Sequence, residues 1–165
     1  MTTTARLADA MTALYNAFAA SSLNPTPAGT PGVTITLGDV PTAAADPEFV
    51  IVGHDGTLEP DGSLSLTPEA GSWTAAFIVT GSPPLTEETG QVHCVAVAQS
   101  GDTADVAGRV AEAQRMQGAC DDACADLTVS GIKFSAASQG RLLTRQSAAG
   151  LAAVLAFTVE YTAPW

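Results

Sequence analysis

Basic side chains are scarce in this sequence: one lysine and five arginines stand against 17 acidic residues, a formal charge of −11. Such a balance repels polyanions and anionic lipid, which disfavours ordinary nucleic-acid binding and recruitment to a membrane surface. Aromatic residues make up only 5% of the chain, so the core must be built largely from alanine, valine and leucine. No apolar run approaches the ~20 residues that cross a bilayer. The amphipathic start of the chain carries Asp9 and does not read as a signal peptide. Cysteine is limited to Cys94, Cys120 and Cys124, an odd count that suits reduced thiols in a cytoplasmic site of synthesis better than a disulfide framework.

What is present fits one domain over residues 1–165, long enough to bury a core. Residues 4–20 place Leu7, Met11, Leu14, Tyr15 and Phe18 at helical spacing, which predicts an amphipathic helix. Pro25, Pro27 and Pro31 make 21–32 a linker. The alternation in 33–38 and the apolar run 48–53 read as strands. Residues 55–72 are rich in turn formers and acids, and are expected to be an exposed hairpin or flap. Strands follow at 73–81 and 91–100, joined by "SPPLTEET", whose paired prolines exclude it from a sheet interior.

A helix is expected over 103–125, capped by Asp102 or Thr103, buried along Val106, Val110, Ala113, Gln117, Cys120 and Cys124, and weakened at Gly118. Residues 127–162 read as C-terminal strands; in the last, Leu151, Ala153, Leu155, Phe157, Val159 and Tyr161 share one face. The order predicts an α+β fold: a mainly antiparallel sheet packed by the N-terminal helix and a longer central one.

The chemistry-bearing residues do not assemble into a recognised motif. Cys120 and Cys124 lie four apart on a helix, and His93 and Cys94 add two soft ligands. The latter two point to opposite faces of one strand, so buried reduced thiols are expected instead of a metal site. His54, flanked by Gly53 and Gly56, reads as an exposed turn histidine. The glycine-containing turns match neither a phosphate-binding loop nor a calcium loop, and no serine lies in a nucleophile elbow. Glu87 and Glu88 read as a solvated pair. Arg141 and Arg145 share a strand face, where they either pair with acids of a neighbouring copy or are simply solvated.

Taken in order, "VTITLGDVP" leading to "EFVIVG", a G-x-W turn at Gly71–Trp73, "TEE" before "VHCVAVAQSGD", a helix holding "AGRVAEA" and a closing "GLAAVLAFTVEY" resemble the tail-terminator family of long-tailed phages with non-contractile tails. The resemblance implies a small α+β structural protein with no active site, metal or cofactor. It implies a closed homo-oligomeric ring, expected to be a hexamer, on the head-proximal end of the tail tube in the neck region of the virion, built from subunits made in the host cytoplasm. The expected partners are other copies of the chain, the tail tube protein and a neck or head-completion protein, with DNA passing through the lumen without sequence-specific contacts.

In that setting Asp55, Glu59, Asp61, Glu87 and Glu88 are expected to face the lumen or a partner. Arg141, Arg145 and Trp165 are expected at a subunit or tube interface, and the long terminal strand is a candidate edge for subunit contacts. The competing expectations are a head-completion or neck connector protein, a small metal-dependent enzyme using His54, His93 and the cysteines, and a soluble binding module.

Overall fold

The computed structural model describes residues 5–23, 32–41, 48–78, 85–137, 139–147 and 150–164. Most of the 21–32 linker, the prolines at 83–84 and Trp165 lie outside them. The fold is α+β: two helices, α1 (Leu7–Ala19) and α2 (Val106–Cys124), pack on a largely antiparallel, curled sheet of eight strands. The strands are β1 (Thr34–Leu37), β2 (Glu48–Val52), β3 (Gly71–Ile78), β4 (Leu85–Ser100), β5 (Thr128–Val129), β6 (Ile132–Phe134), β7 (Gln139–Ser147) and β8 (Gly150–Pro164).

The long strands β4 and β8 run antiparallel from Glu87 opposite Pro164 to Ser100 opposite Leu151 and form the spine. Each is too long for one neighbour on its outer side. Along β4, β2 pairs with Cys94–Ala98 and β3 with Leu85–Val92. Along β8, β7 pairs with Gly150–Thr158 and β6 with Tyr161–Thr162. The sheet therefore has an upper tier, β1-β2-β4-β8-β7, and a lower tier, β3-β4-β8-β6-β5. Among the described strands only β1 and β2 pair in parallel. Ser130 and Gly131 both have positive φ, as a two-residue hairpin between β5 and β6 demands.

One face of the sheet carries Val50, Val52, Val92, Cys94, Ala96, Leu155, Phe157, Val159 and Tyr161 against Leu14 and Phe18 of α1 and Met116 and Cys120 of α2. The expected face of β8 is thus buried under the helices. In α2 the cap is Asp105, whose Oδ1 accepts from the Gly108 N–H at 3.2 Å, three residues after the expected Asp102. The helix runs through Gly118 unbroken, and its buried stripe is Ala113, Met116, Ala119, Cys120 and Cys124. Val106, expected inside, is exposed.

Two segments expected outside the sheet belong to it. Leu85–Thr89 pairs with β3, and from Glu87 on with β8 as well, and Gly71–Trp73 is the start of β3 instead of a turn. Gly90 is what lets the lower tier close, because a Cβ there would overlap the ring of Tyr161 on the adjacent strand. Gly90→Ala should therefore cost about 2 kcal/mol through overpacking. Thermal unfolding checks it, and an unchanged midpoint would mean the ring has room to move.

The insert is not a loose flap. Leu58 and Leu64 bridge around a tight turn at Glu59–Gly62, and Leu64 packs on the sheet's second face with Phe49, Ile51, Val95, Val97 and Val154. A second, smaller core results. The small-residue face of β8 is what the insert covers: a Cβ on Gly56, itself at φ +76°, would lie 2.7 Å from the Ala156 Cβ. Nor is β8 an edge, since it is paired on both sides.

Candidate functional site

Strand pleating sorts the candidate acids. Odd-numbered residues of β4 point to the insert side and even-numbered ones to the helices, so adjacent Glu87 and Glu88 part company. Glu87 stays partly exposed on the insert side. Glu88 is 0% exposed and does not face a lumen or a partner. Its carboxyl oxygens accept the Arg6 N–H at the start of α1 at 2.9 and 3.0 Å, and one accepts the Tyr161 hydroxyl at 2.6 Å. An acid delivered from β4 thus satisfies a helix N-terminus whose own cap residue, Arg6, offers no side-chain bond. Burial, with help from Glu88, pushes the Tyr161 phenol well above its ordinary pKa and keeps it a donor.

His54 is likewise 0% exposed, not an open turn. Its Nδ1 accepts the Gly56 N–H at 2.9 Å and its Nε2 lies 3.0 Å from the Ser65 carbonyl. The first partner can only donate and the second only accept, so the neutral tautomer with the proton on Nε2 is fixed. Burial lowers the His54 pKa, opposed by the Ser65 carbonyl and by Asp55. The histidine ties both ends of the 56–65 turn to the sheet.

Four expected surface acids remain on the insert side. Asp55 is partly exposed, and Glu59 and Asp61 stand at the exposed tip of the turn, with Glu87 below. Burial works against ionising Asp55, but hydrogen bonds from Thr57 and the Glu69 backbone outweigh it and hold the carboxyl below its usual range. Hydrogen bonds from the Ser63 hydroxyl and N–H do the same for Asp61. Glu69 and Glu160, not singled out from the sequence, lie on this side too: Glu69 is 3.4 Å from His93 Nε2, and Glu160 is opposite Gln91.

Arg141 and Arg145 of β7 also face this side. Arg145 borders a cleft of about 600 Å³ with Asp61, Phe49, Leu64 and Val97, so its nearest acid belongs to its own chain. Trp165 lies outside the described residues.

No family model matches the chain, and no curated protein matches it in sequence.

The remaining chemistry is limited by placement. Cys94, Cys120 and Cys124 meet in the main core, where burial raises all three thiols, Cys124 to about 12. They stay protonated at neutral pH and are poor nucleophiles. His93 is on the other face, and among the described residues no three His, Cys, Asp or Glu groups are placed to hold a metal. A polar hollow of about 370 Å³ does align Thr158, His93 and Glu69: the Thr158 Oγ1 is 3.2 Å from His93 Nδ1. That order resembles a hydroxyl–imidazole–carboxylate relay. Thr158, however, sits mid-strand with β4 on one side and β7 on the other, so its neighbouring N–H groups are committed to the sheet and none is left to hold an oxyanion.

Proposed function

We propose that the chain is a phage tail terminator, a structural virion protein whose ring caps the head-proximal end of the tail tube, ends tube polymerisation and offers a docking face to the neck. The observation that carries this reading is the gathering of Asp55, Glu59, Asp61, Glu69, Glu87 and Glu160 on one side of the sheet, away from both helices, where they outnumber the cations Lys133, Arg141 and Arg145. A face of net negative charge suits a channel wall, because like charge keeps passing DNA hydrated and sliding, whereas a wall of net positive charge would hold it. The element order, with an N-terminal helix, a sheet, a central helix and a long closing strand, agrees with what the sequence resemblance implies. No step in this role calls for a nucleophile or a metal.

Electron microscopy of particles assembled without the protein tests the proposal. Tail tubes longer than normal are expected. Tubes of normal length, detached from filled heads, would instead make the protein a neck connector and overturn the terminator role.

A further inference from the structure

The upper tier ends in two edges, β1 and β7, and neither has a described strand on its outer side. Counting directions across the tier, β8 opposes β4, β4 opposes β2, β2 runs with β1, and β7 opposes β8. If one copy is set beside another in the same orientation, β7 therefore meets the next copy's β1 antiparallel, the geometry in which strand pairs form readily. Such a contact uses two different surfaces and repeats head to tail, so it closes into a ring when the rotation between copies divides a full turn.

The side chains on the two edges match. Leu37 of β1 is 40% exposed and Leu142 of β7 is 38% exposed, and both lie on the helix side of the sheet. Joining the edges brings these two aliphatic side chains onto one face, where each covers the other. On the insert side β7 presents exposed Arg141, which lies within 4 Å of no acid among the described residues, while Arg145 packs inward on Gly62 beside Asp61. The β1 edge presents Thr36 on that side and is followed by exposed Asp39. Greasy meets greasy on one face, and cation meets hydroxyl and acid on the other.

We infer that copies of this chain associate edge to edge, β7 of one pairing antiparallel with β1 of the next, with Leu142 packed on the neighbour's Leu37. The inference deepens the ring reading above by naming the surfaces that join. With β1 only four residues long, each junction is weak, and stability comes from closing the ring.

Cysteine cross-linking of the full chain tests it, since the three native thiols are buried and only introduced ones are accessible. Leu37→Cys and Leu142→Cys are made singly and together, with circular dichroism confirming that each folds. On mild oxidation the double variant should give a ladder of covalent multimers. A mixture of the two single variants should give one heterodimer band, stronger than either variant forms alone. Raising salt should weaken the ladder by screening Arg141. No ladder at high protein concentration, from a folded double variant, overturns the edge pairing and leaves the terminator role to the tail-length measurement. A ladder together with normal-length tails does the reverse.

Discussion

Glu88→Ala should destabilise the protein by about 3 kcal/mol, lowering the thermal midpoint by about 10 °C for a domain of this size. The substitution removes the acceptor for two donors, the buried Tyr161 hydroxyl and the part-buried Arg6 N–H, and also leaves a cavity. Glu88→Gln keeps the volume but sets an amide NH₂ where one oxygen accepted, so about half the loss should remain. Tyr161→Phe and Glu88→Ala should cost less together than the sum of each alone, because they break the same bond. Chemical denaturation of the four proteins checks the set. A solvated acid at this position would cost no more than about 0.5 kcal/mol, so a result that small would return Glu88 to the surface.

His54→Ala should cost about 3 kcal/mol as well, but the loss should be concentrated in the insert. Without the imidazole, the Gly56 N–H and the Ser65 carbonyl are left without partners, and the turn no longer holds Leu64 over Val95 and Val97. Proteolysis within 55–70 should accelerate before the far-ultraviolet spectrum changes. The same residue gives a pH signature. A histidine whose pKa is lower in the folded than in the unfolded state leaves stability unaffected above about pH 6.5 and reduces it as pH falls below that value. Protonating Nδ1 would set two donors against each other at Gly56, only partly relieved by Asp55 Oδ1 at 3.9 Å. The parent protein should lose up to about 1.4 kcal/mol per pH unit on acidification, beginning near pH 6.5. In His54→Ala that slope should be absent, and equal slopes in the two proteins would remove His54 from the account.

Local patterns made the architecture legible. The 3.6-residue spacing of Leu7, Leu14 and Phe18 and the alternation of Leu155, Phe157, Val159 and Tyr161 report burial directly, and the first helix and the closing strand follow from them. Errors arose where a partner far along the chain decided the outcome. Glu88 reads as solvated because its neighbours are Glu87 and threonines, whereas its true environment is set by Tyr161, 73 residues away. The strand pattern of 85–90 held a usable signal: once it is a strand, Glu87 and Glu88 must face opposite ways. For His54, the flanking glycines did mark a turn, but nothing local says that the turn folds down onto Ala156. The unusual run of buried residues from Leu151 to Leu155 covers both faces of β8, and that pattern belongs to an interior strand. Its small residues made it look like an edge open for docking.

The position of β8 at the centre of both tiers has a consequence for synthesis. A ribosome delivers α1, β1–β4 and α2 first, yet β4, β6 and β7 all need β8 as a neighbour, and both cores take residues from it. A nascent chain that has not yet released residues 150–164 can form its helices and hairpins but has no strand along which to assemble them. Folding is thereby deferred until residues 150–164 emerge, and until then Val95, Val97 and the three thiols lack the strand that covers them.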